Sequence, residues 1–549
     1  MKTTKPITSH STNSVLGNCR IDSSRNGGFI KKRFLRKMMA ALLMVASLAL
    51  FLYAAEGVSY GDSARLTSPK VMADAQFYPT FGTPNDALVT ADDSYVLVSV
   101  SQVAHPPFGA TGVQVFKKSD FTNPCGGQQI LSFPEPIPGS TPPPPGGPVQ
   151  TVDGMKFFPG SPQVSVGAAV EEQGAEFFRL ASLNQPCAVD VINVQQPPVI
   201  PNCPQQLCPP GTFDLAVTPD GRYAFVANEY GALPNPPPNN VNAGSGTIGI
   251  IMVHRDHSGK FTPGTRSIMP NPYIYIPGGS AIPGVTTSHD GKYVFVTSEG
   301  TVRGINPETM MPYRDPTNVQ NNQNGTVLCP GCLNSVNRCD NKSDGTQASN
   351  GLLTVIDVNK ARRGMGQASI INSIACGCSP VRAVETADGQ YVFVATRGRN
   401  NVLPLPTEQG ASGYQVLAFD RATLVSHSPN DALVGYGDTH GTAPVGMALF
   451  NGDNLLAVAN GNRYFYESGC VSPPPGRPPC TASVAIMDVS NPAAPTVEQV
   501  IPNADNAFPR NITLGPDGST LYVPNAGCAQ STRACQQVKM LEVITTSVH

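Results

Sequence analysis

Apolar and polar positions alternate over short stretches along most of the chain, and one such stretch keeps returning. The unit is an apolar strand, a turn of Asp-Gly type, and a second strand of alternating apolar residues. It is clearest at 214–228 (DLAVTPDGRYAFVAN), 284–297 (GVTTSHDGKYVFVT), 382–396 (RAVETADGQYVFVAT) and 511–525 (NITLGPDGSTLYVPN). Weaker copies lie at 86–100 (DALVTADDSYVLVSV) and 446–460 (GMALFNGDNLLAVAN), with a degenerate one at 154–168 (GMKFFPGSPQVSVGA). Strand, Asp-Gly, strand is a hairpin signal, because the turn needs positive φ that Asp, Asn and Gly tolerate.

A late Val of the second strand serves as a ruler: Val98, Val166, Val226, Val296, Val394, Val458 and Val523. The intervals are 68, 60, 70, 98, 64 and 65 residues. After most hairpins a third apolar strand follows, at 247–253, 352–358, 414–419, 483–489 and 538–544. The spacing leaves room for a fourth strand, which makes each copy one propeller blade. The expected fold is therefore all-β: a seven-bladed β-propeller over 61–549 with four-stranded antiparallel blades. Little chain follows Ile544, so the last blade needs a strand from elsewhere. The segment 70–80 (KVMADAQFYPT) is expected to pair beside 538–544 and close the ring, which leaves no long edge exposed. Two segments interrupt the repeat: a Pro-rich loop at 123–148 and a polar, Cys-containing insert at 304–350, between the second and third strands of blade four.

Composition sharpens this picture. Fifty-three Gly and 54 Pro in 549 residues argue against long helices, while 40% hydrophobic residues are enough for a core. Residues 1–40 hold nine Lys/Arg against one acid, Asp22, leaving 27 basic and 37 acidic residues in the remainder. That remainder lacks the basic footprint of nucleic-acid binding, so no nucleic-acid partner is expected. The basic stretch 31–37 precedes the uncharged apolar run 38–55 (MMAALLMVASLALFLYAA), so 1–60 reads as an export signal or anchor. Eighteen residues are long for a cleaved signal and just enough to span a bilayer. Both readings export the rest of the chain, and membrane contact is expected only through 38–55 if it is retained. Thirteen of the fourteen Cys follow this run, and the pairs Cys203/Cys208, Cys470/Cys480 and Cys528/Cys535 read as disulfide-closed loops. Thirteen is odd, so one thiol is free or pairs elsewhere.

The phrases TPDGRYAFVAN (218–228), ADGQYVFVAT (387–396) and GPDGSTLYVPN (515–525) resemble the YVTN-type β-propeller repeat of surface-layer and periplasmic proteins. The resemblance covers roughly 80–545. The lactonase-like seven-bladed propellers are similar, including 6-phosphogluconolactonase and muconate cyclase, as is the methylamine dehydrogenase heavy chain. It implies an architecture first; for activity it implies a lactone hydrolase or cyclase, or an electron-transfer subunit needing a cofactor-bearing partner. This fold hosts unrelated functions.

In a propeller the Asp-Gly turns lie on one face, and the openings of the first strands lie on the other with the loops after the second strands. The opening positions are Asp86, Gly154, Asp214, Gly284, Arg382, Gly446 and Asn511, with Arg510 just before the last. The loops add His105, Glu229 with Tyr230, Glu299 with Arg303, Arg397 with Arg399, and Arg463 with Tyr464. Carboxylates and guanidinium groups converging on a channel mouth bind an anionic ligand or perform acid–base work. Alternatively, they neutralise one another as salt bridges between blades. Glu229 in VANEYG matches the lactonase-like habit of placing Glu after the second strand, which makes Glu229, Arg382 and His105 the catalytic candidates. The ligand-binding candidates are Asp86, Asp214, Glu299, Arg303, Arg397, Arg399, Arg463 and Arg510.

Blade four, however, opens with SAIPGV and no PHAH-like histidine segment, and His289 falls inside a turn on the opposite face. That departs from the lactonase pattern. Cys329, Cys332 and Cys339 with Cys376 and Cys378 read as disulfides in an exported protein rather than as a thiolate zinc site. His254 and His257 read as solvated turn residues. No metal and no cofactor is expected, since phosphate-cradle, nucleophile-elbow and haem-attachment motifs are missing from the sequence. The expectation is an exported cell-envelope binding or interaction module whose partner is a small anionic molecule or an envelope protein or glycan. The alternative is a lactonase-like hydrolase or cyclase acting on a small carboxylated ring.

Overall fold

A computed structural model divides the chain into residues 1–67 and a second unit, Ser68–His549. It describes residues 71–80, 82–101, 112–122, 130–132, 152–159, 166–171, 174–180, 189–195, 212–228, 246–252, 273–276, 279–280, 282–305 and 312–314. Beyond these it describes 351–377, 379–397, 414–426, 429–441, 443–461, 482–503, 508–526 and 540–548.

The repeat begins in its turn. Thr218 Oγ1 donates to Asp220 Oδ1 at 2.5 Å and accepts the Tyr223 N–H at 3.1 Å, while Asp220 Oδ1 also accepts the Arg222 N–H at 3.0 Å. Ser288 with Asp290 and Thr386 with Asp388 repeat this arrangement. Gly221, Gly291 and Gly389 take φ of +65°, +68° and +68°, the conformation for which the Asp-Gly pair is suited. In 86–100, Asp93 takes the same place at φ +57°.

Among the described residues the strands form seven four-stranded antiparallel sheets and one three-stranded one. Six draw their strands in chain order: sheet 1 over 83–132, sheet 2 over 152–195, sheet 3 over 212–275, sheet 4 over 284–375, sheet 5 over 380–438 and sheet 6 over 444–502. The seventh is composite: Thr513–Leu514, Thr520–Asn525 and Met540–Val548 are completed by Val71–Pro79. That closing strand pairs antiparallel with Met540–Val548 along its whole length, from Val71 opposite Val548 to Pro79 opposite Met540. The expected closure by 70–80 is therefore what the ladder forms. The insert in sheet 4 opens with Gly300–Ile305 and Pro312–Arg314, which join Gly279–Ser280 in the three-stranded sheet.

Successive sheets are tied through their first strands. Thr286 Oγ1 of sheet 4 donates to the Ala383 carbonyl of sheet 5 at 2.6 Å, and Thr287 Oγ1 to the Val217 carbonyl of sheet 3 at 2.8 Å. Thr513 Oγ1 of the composite sheet donates to the Ala87 carbonyl of sheet 1 at 2.6 Å. Apolar side chains fill the spaces between sheets: Ile248, Ile274 and Val296 between 3 and 4, Phe295, Leu353 and Phe419 between 4 and 5. Phe393 and Leu456 lie between 5 and 6, Val484 and Val523 between 6 and the composite sheet, and Val98 and Tyr522 between that sheet and 1. Second and third strands such as Leu455–Asn460 and Ser483–Asp488 are almost wholly buried, whereas the outer strands Leu433–Asp438 and Val71–Pro79 alternate toward solvent. The chain thus folds as an all-β propeller with four-stranded antiparallel blades.

One expected register is corrected. In the degenerate copy the second strand is Val166–Glu171, and Met155 pairs with Ala169. The residue equivalent to Val98, Val226 and Val458 is thus Ala169 and not Val166. The turn there lacks Asp-Gly, so nothing local fixed its length. Among the described residues no helix is long and apolar enough to cross a membrane; the run 38–55 and the disulfide candidates paired above lie outside them, and of the Pro-rich segment 123–148 only Ile130–Ser132 is described, as the outer strand of sheet 1 rather than part of a surface loop.

Candidate functional site at the channel mouth

The first strands do not run straight into the sheets. Register shifts fall between Pro84 and Ala87, Val152 and Gly154, Thr212 and Asp214, Pro380 and Arg382, and Pro444 and Gly446. A bulge inserts one residue and re-aims the side chains beside it. The cavity on the channel is lined by Asn85, Phe213, Val381, Arg382, Val445 and Arg510, of which all but Arg382 stand immediately before an opening position. Of these residues the sequence pattern singled out Arg382 and Arg510 but not Asn85, Phe213, Val381 or Val445, because a one-residue insertion leaves the apolar pattern of a strand unchanged. This cavity measures about 20 Å³, room for one water.

The opening positions themselves read Asp, Gly, Asp, Gly, Arg, Gly, Asn around the sheets, and the glycines make way for their neighbours. Asp86 Oδ2 accepts the Met155 N–H of sheet 2 at 2.7 Å, just past Gly154. Asp214 Oδ2 accepts the Val285 N–H of sheet 4 at 3.1 Å, just past Gly284. A methyl on Gly284 would stand 2.1 Å from the Val381 carbonyl oxygen. Across that gap Arg382 Nη1 of sheet 5 forms an ion pair with Asp214 Oδ2. Asp86 Oδ1 accepts both the Ala87 N–H at 2.9 Å and Asn511 Nδ2 at 2.6 Å. Asp86 and Asp214 are buried, and their carboxylates link sheets to one another.

A second pair repeats the pattern one layer out. Arg397 Nη1 of sheet 5 meets Glu299 Oε1 at the end of sheet 4's second strand at 2.5 Å, with both side chains largely buried. Arg510, which lines the cavity, holds its guanidinium 5.0 Å from the Phe508 ring centroid. Arg303 lies on Gly300–Ile305. Glu229, His105, Arg399 and Arg463, with Tyr230 and Tyr464, lie outside the described residues. Two members of the catalytic candidate set, Glu229 and His105, thus have no described position, and the third, Arg382, is paired.

Other polar residues that the motif search passed over have definite roles. The Asn ending a second strand clamps the third: Asn228 Nδ2 donates to Thr247 Oγ1 at 3.1 Å, and Asn460 Nδ2 to Ser483 Oγ at 3.2 Å. On the turn face, His289 donates its N–H to Glu385 Oε2 at 2.6 Å and places Nδ1 3.1 Å from the same oxygen. Hydrogen bonding to Glu385 raises the His289 pKa above the ordinary histidine value. Arg421 joins Glu385 at 2.8 Å and Asp290 at 2.6 Å. His289 therefore belongs to an inter-sheet ion network away from the mouth. Cys376 is a buried free thiol whose pKa burial pushes far up, while Cys329, Cys332, Cys339, Cys378, His254 and His257 lie outside the described residues. Among the described residues no group of three or more His, Cys, Asp or Glu side chains is placed to hold a metal.

No family model and no curated protein matches the chain. Among solved structures it is similar to the β-propeller domain of Cps50 (Swd1) from Myceliophteria thermophila, at 8% identity and a TM-score of 0.44, covering 86% of this chain and 99% of that one. It is also similar to a periplasmic gluconolactonase, PpgL, of Pseudomonas aeruginosa, at 14% identity and a TM-score of 0.36, covering 68% of this chain and 75% of that one.

Proposed function

We propose that this chain is an exported, seven-bladed propeller of the YVTN type that acts as a binding or interaction module of the cell envelope. In this reading the seven four-stranded sheets are the blades of one ring, and the contact surface is the mouth face. The observation that carries it is the pairing of charge between sheets. Asp214 with Arg382 and Glu299 with Arg397 are joined, and Asp86 is bound to three N–H groups, around a cavity of about 20 Å³. A buried carboxylate already neutralised by a guanidinium is a poor general base, because its lone pairs are engaged. Such a mouth suits a partner that rests on the rim, held by residues of the loops, more than a ring substrate drawn into the channel. The apolar run 38–55 behind a basic stretch supports export.

The test is a screen of purified protein for lactone hydrolysis, run alongside binding of small carboxylates and of envelope glycans by calorimetry. The expected result is binding without turnover, unchanged by Glu229→Gln. Hydrolysis that disappears in Glu229→Gln would replace this reading with the lactonase-like one.

A further inference from the structure

On the third strand of the composite sheet Glu542 pairs with Val523; the equivalent position is Gly249 in sheet 3, Ala485 in sheet 6, Thr354 in sheet 4, Leu417 in sheet 5, Gln114 in sheet 1 and Glu176 in sheet 2. Its other neighbour in the ladder is Phe77 of the closing strand. The residue is fully buried. Its Oε2 accepts from Asn503 Nδ2, just past the outer strand of sheet 6, and from Asn525 Nδ2 at 3.1 Å. Asn503 Nδ2 also donates to Asn525 Oδ1 at 3.1 Å.

Two atoms in this cluster are left over. Glu542 Oε1 and Asn503 Oδ1 are both buried and both without a hydrogen-bond partner. They belong to two side chains already joined by one N–H···O bond. Two orphaned acceptors on such a pair are what a cyclic acid–amide pair leaves when its proton is taken away. Two bare acceptors cannot pair, whereas one proton added to Glu542 Oε1 converts it into a donor for which Asn503 Oδ1 is an acceptor. Turning the Asn503 amide over does not help, because it would set oxygen against Glu542 Oε2 and Asn525 Oδ1.

We propose that Glu542 is a resident proton-binding site: a neutral carboxylic acid whose Oε1–H donates to Asn503 Oδ1 and fastens sheet 6 to the composite sheet. The proton comes from solvent and no other bond changes. The groups set against the carboxyl are Val523 and Asn525 from one strand, Phe77 from the closing strand and Asn503 from sheet 6, none of them charged. Tyr78 and Tyr522 lie on the opposite face of the sheet with Leu541, and burial pushes the Tyr522 phenol up to about 12. Burial likewise moves the Glu542 carboxyl up to about 7, against the pull of the Asn525 amide.

The sign follows. A carboxyl with ordinary value 4.5 when unfolded and about 7 when folded binds more protons in the native state. Stability is therefore full below about 4.5, falls as pH rises through about 7, and then levels.

The experiment compares wild type with Glu542→Gln, whose amide N–H replaces the acid O–H, by urea unfolding from pH 5 to pH 8. The variant is expected to gain on wild type as pH rises, the ratio of their folding constants changing on the order of a hundredfold over that range. A ratio that stays constant overturns the proposal. Infrared spectra of the wild type provide a readout that needs no variant. A protonated-carboxyl carbonyl band that persists at pH 6 and titrates near 7 is expected. Its absence at pH 6 overturns the proposal.

Discussion

The glycine at Gly446 allows two first strands to approach closely. A methyl there would stand 2.6 Å from the Asn511 Cα and 3.0 Å from the Ile512 nitrogen, both backbone atoms that no rotamer change can move. Gly446→Ala is expected to cost about 1–3 kcal/mol, read as a lower urea midpoint at unchanged slope. The carboxylates fail differently. Asp214→Ala leaves Arg382 charged and largely buried beside an empty position, which costs about 3–5 kcal/mol. Asp214→Asn with Arg382→Met removes both charges and should recover part of that loss in a double-mutant cycle. The alternation of Asp, Gly, Asp, Gly, Arg, Gly, Asn was present in the sequence, and so was the alternative that these charges neutralise one another. Which charge meets which was not legible, because Arg382 reaches Asp214 across Gly284, two sheets away along the chain.

At the level of elements, the hairpins were legible wherever Asp-Gly or its equivalents set the turn, since the Thr/Ser–Asp bond and the left-handed Gly are local chemistry. Where the turn lacked them, at 154–168, the second strand was placed three residues early. The bulges were not legible at all, because a one-residue insertion leaves the apolar count of a strand unchanged. Closure by 70–80 was legible from the apolar segment lying upstream of the first hairpin, which the ladder with Met540–Val548 takes up. The closing strand also covers what would otherwise be an open edge, Met540–Val548, with Leu541, Val543 and Ile544 buried along it. A chain lacking the residues through Pro79 is therefore expected to expose that edge and self-associate. Size-exclusion chromatography would show higher oligomers, and thermal melts would broaden relative to the full chain. A monomer with an unchanged melt would mean that sheet closure does not depend on this strand.

For the whole molecule, proton linkage acts at two inter-sheet junctions on opposite faces, and in one direction. Glu542 joins sheet 6 to the composite sheet near the mouth, while His289 of sheet 4 meets buried Glu385 of sheet 5 on the turn face. The folded pKa of His289 is raised above 6.5 by its bond to Glu385, so its contribution is fully present below 6.5 and is lost as pH rises through the folded value. Its side chain is 56% exposed, so solvent and salt screen the interaction and the effect is smaller than that of Glu542. Glu385 also keeps Arg421, so deprotonating His289 leaves the buried carboxylate with a cation and weakens the junction without breaking it. His289→Gln should thus destabilise the protein at pH 5.5 and be nearly neutral at pH 8.5, and the difference at pH 5.5 should shrink in high salt. Urea midpoints at the two pH values, with and without added salt, check this. The Glu542 contribution should resist salt because no solvent reaches its pair. If both junctions respond to salt alike, the mouth-side cluster is more hydrated than its burial implies.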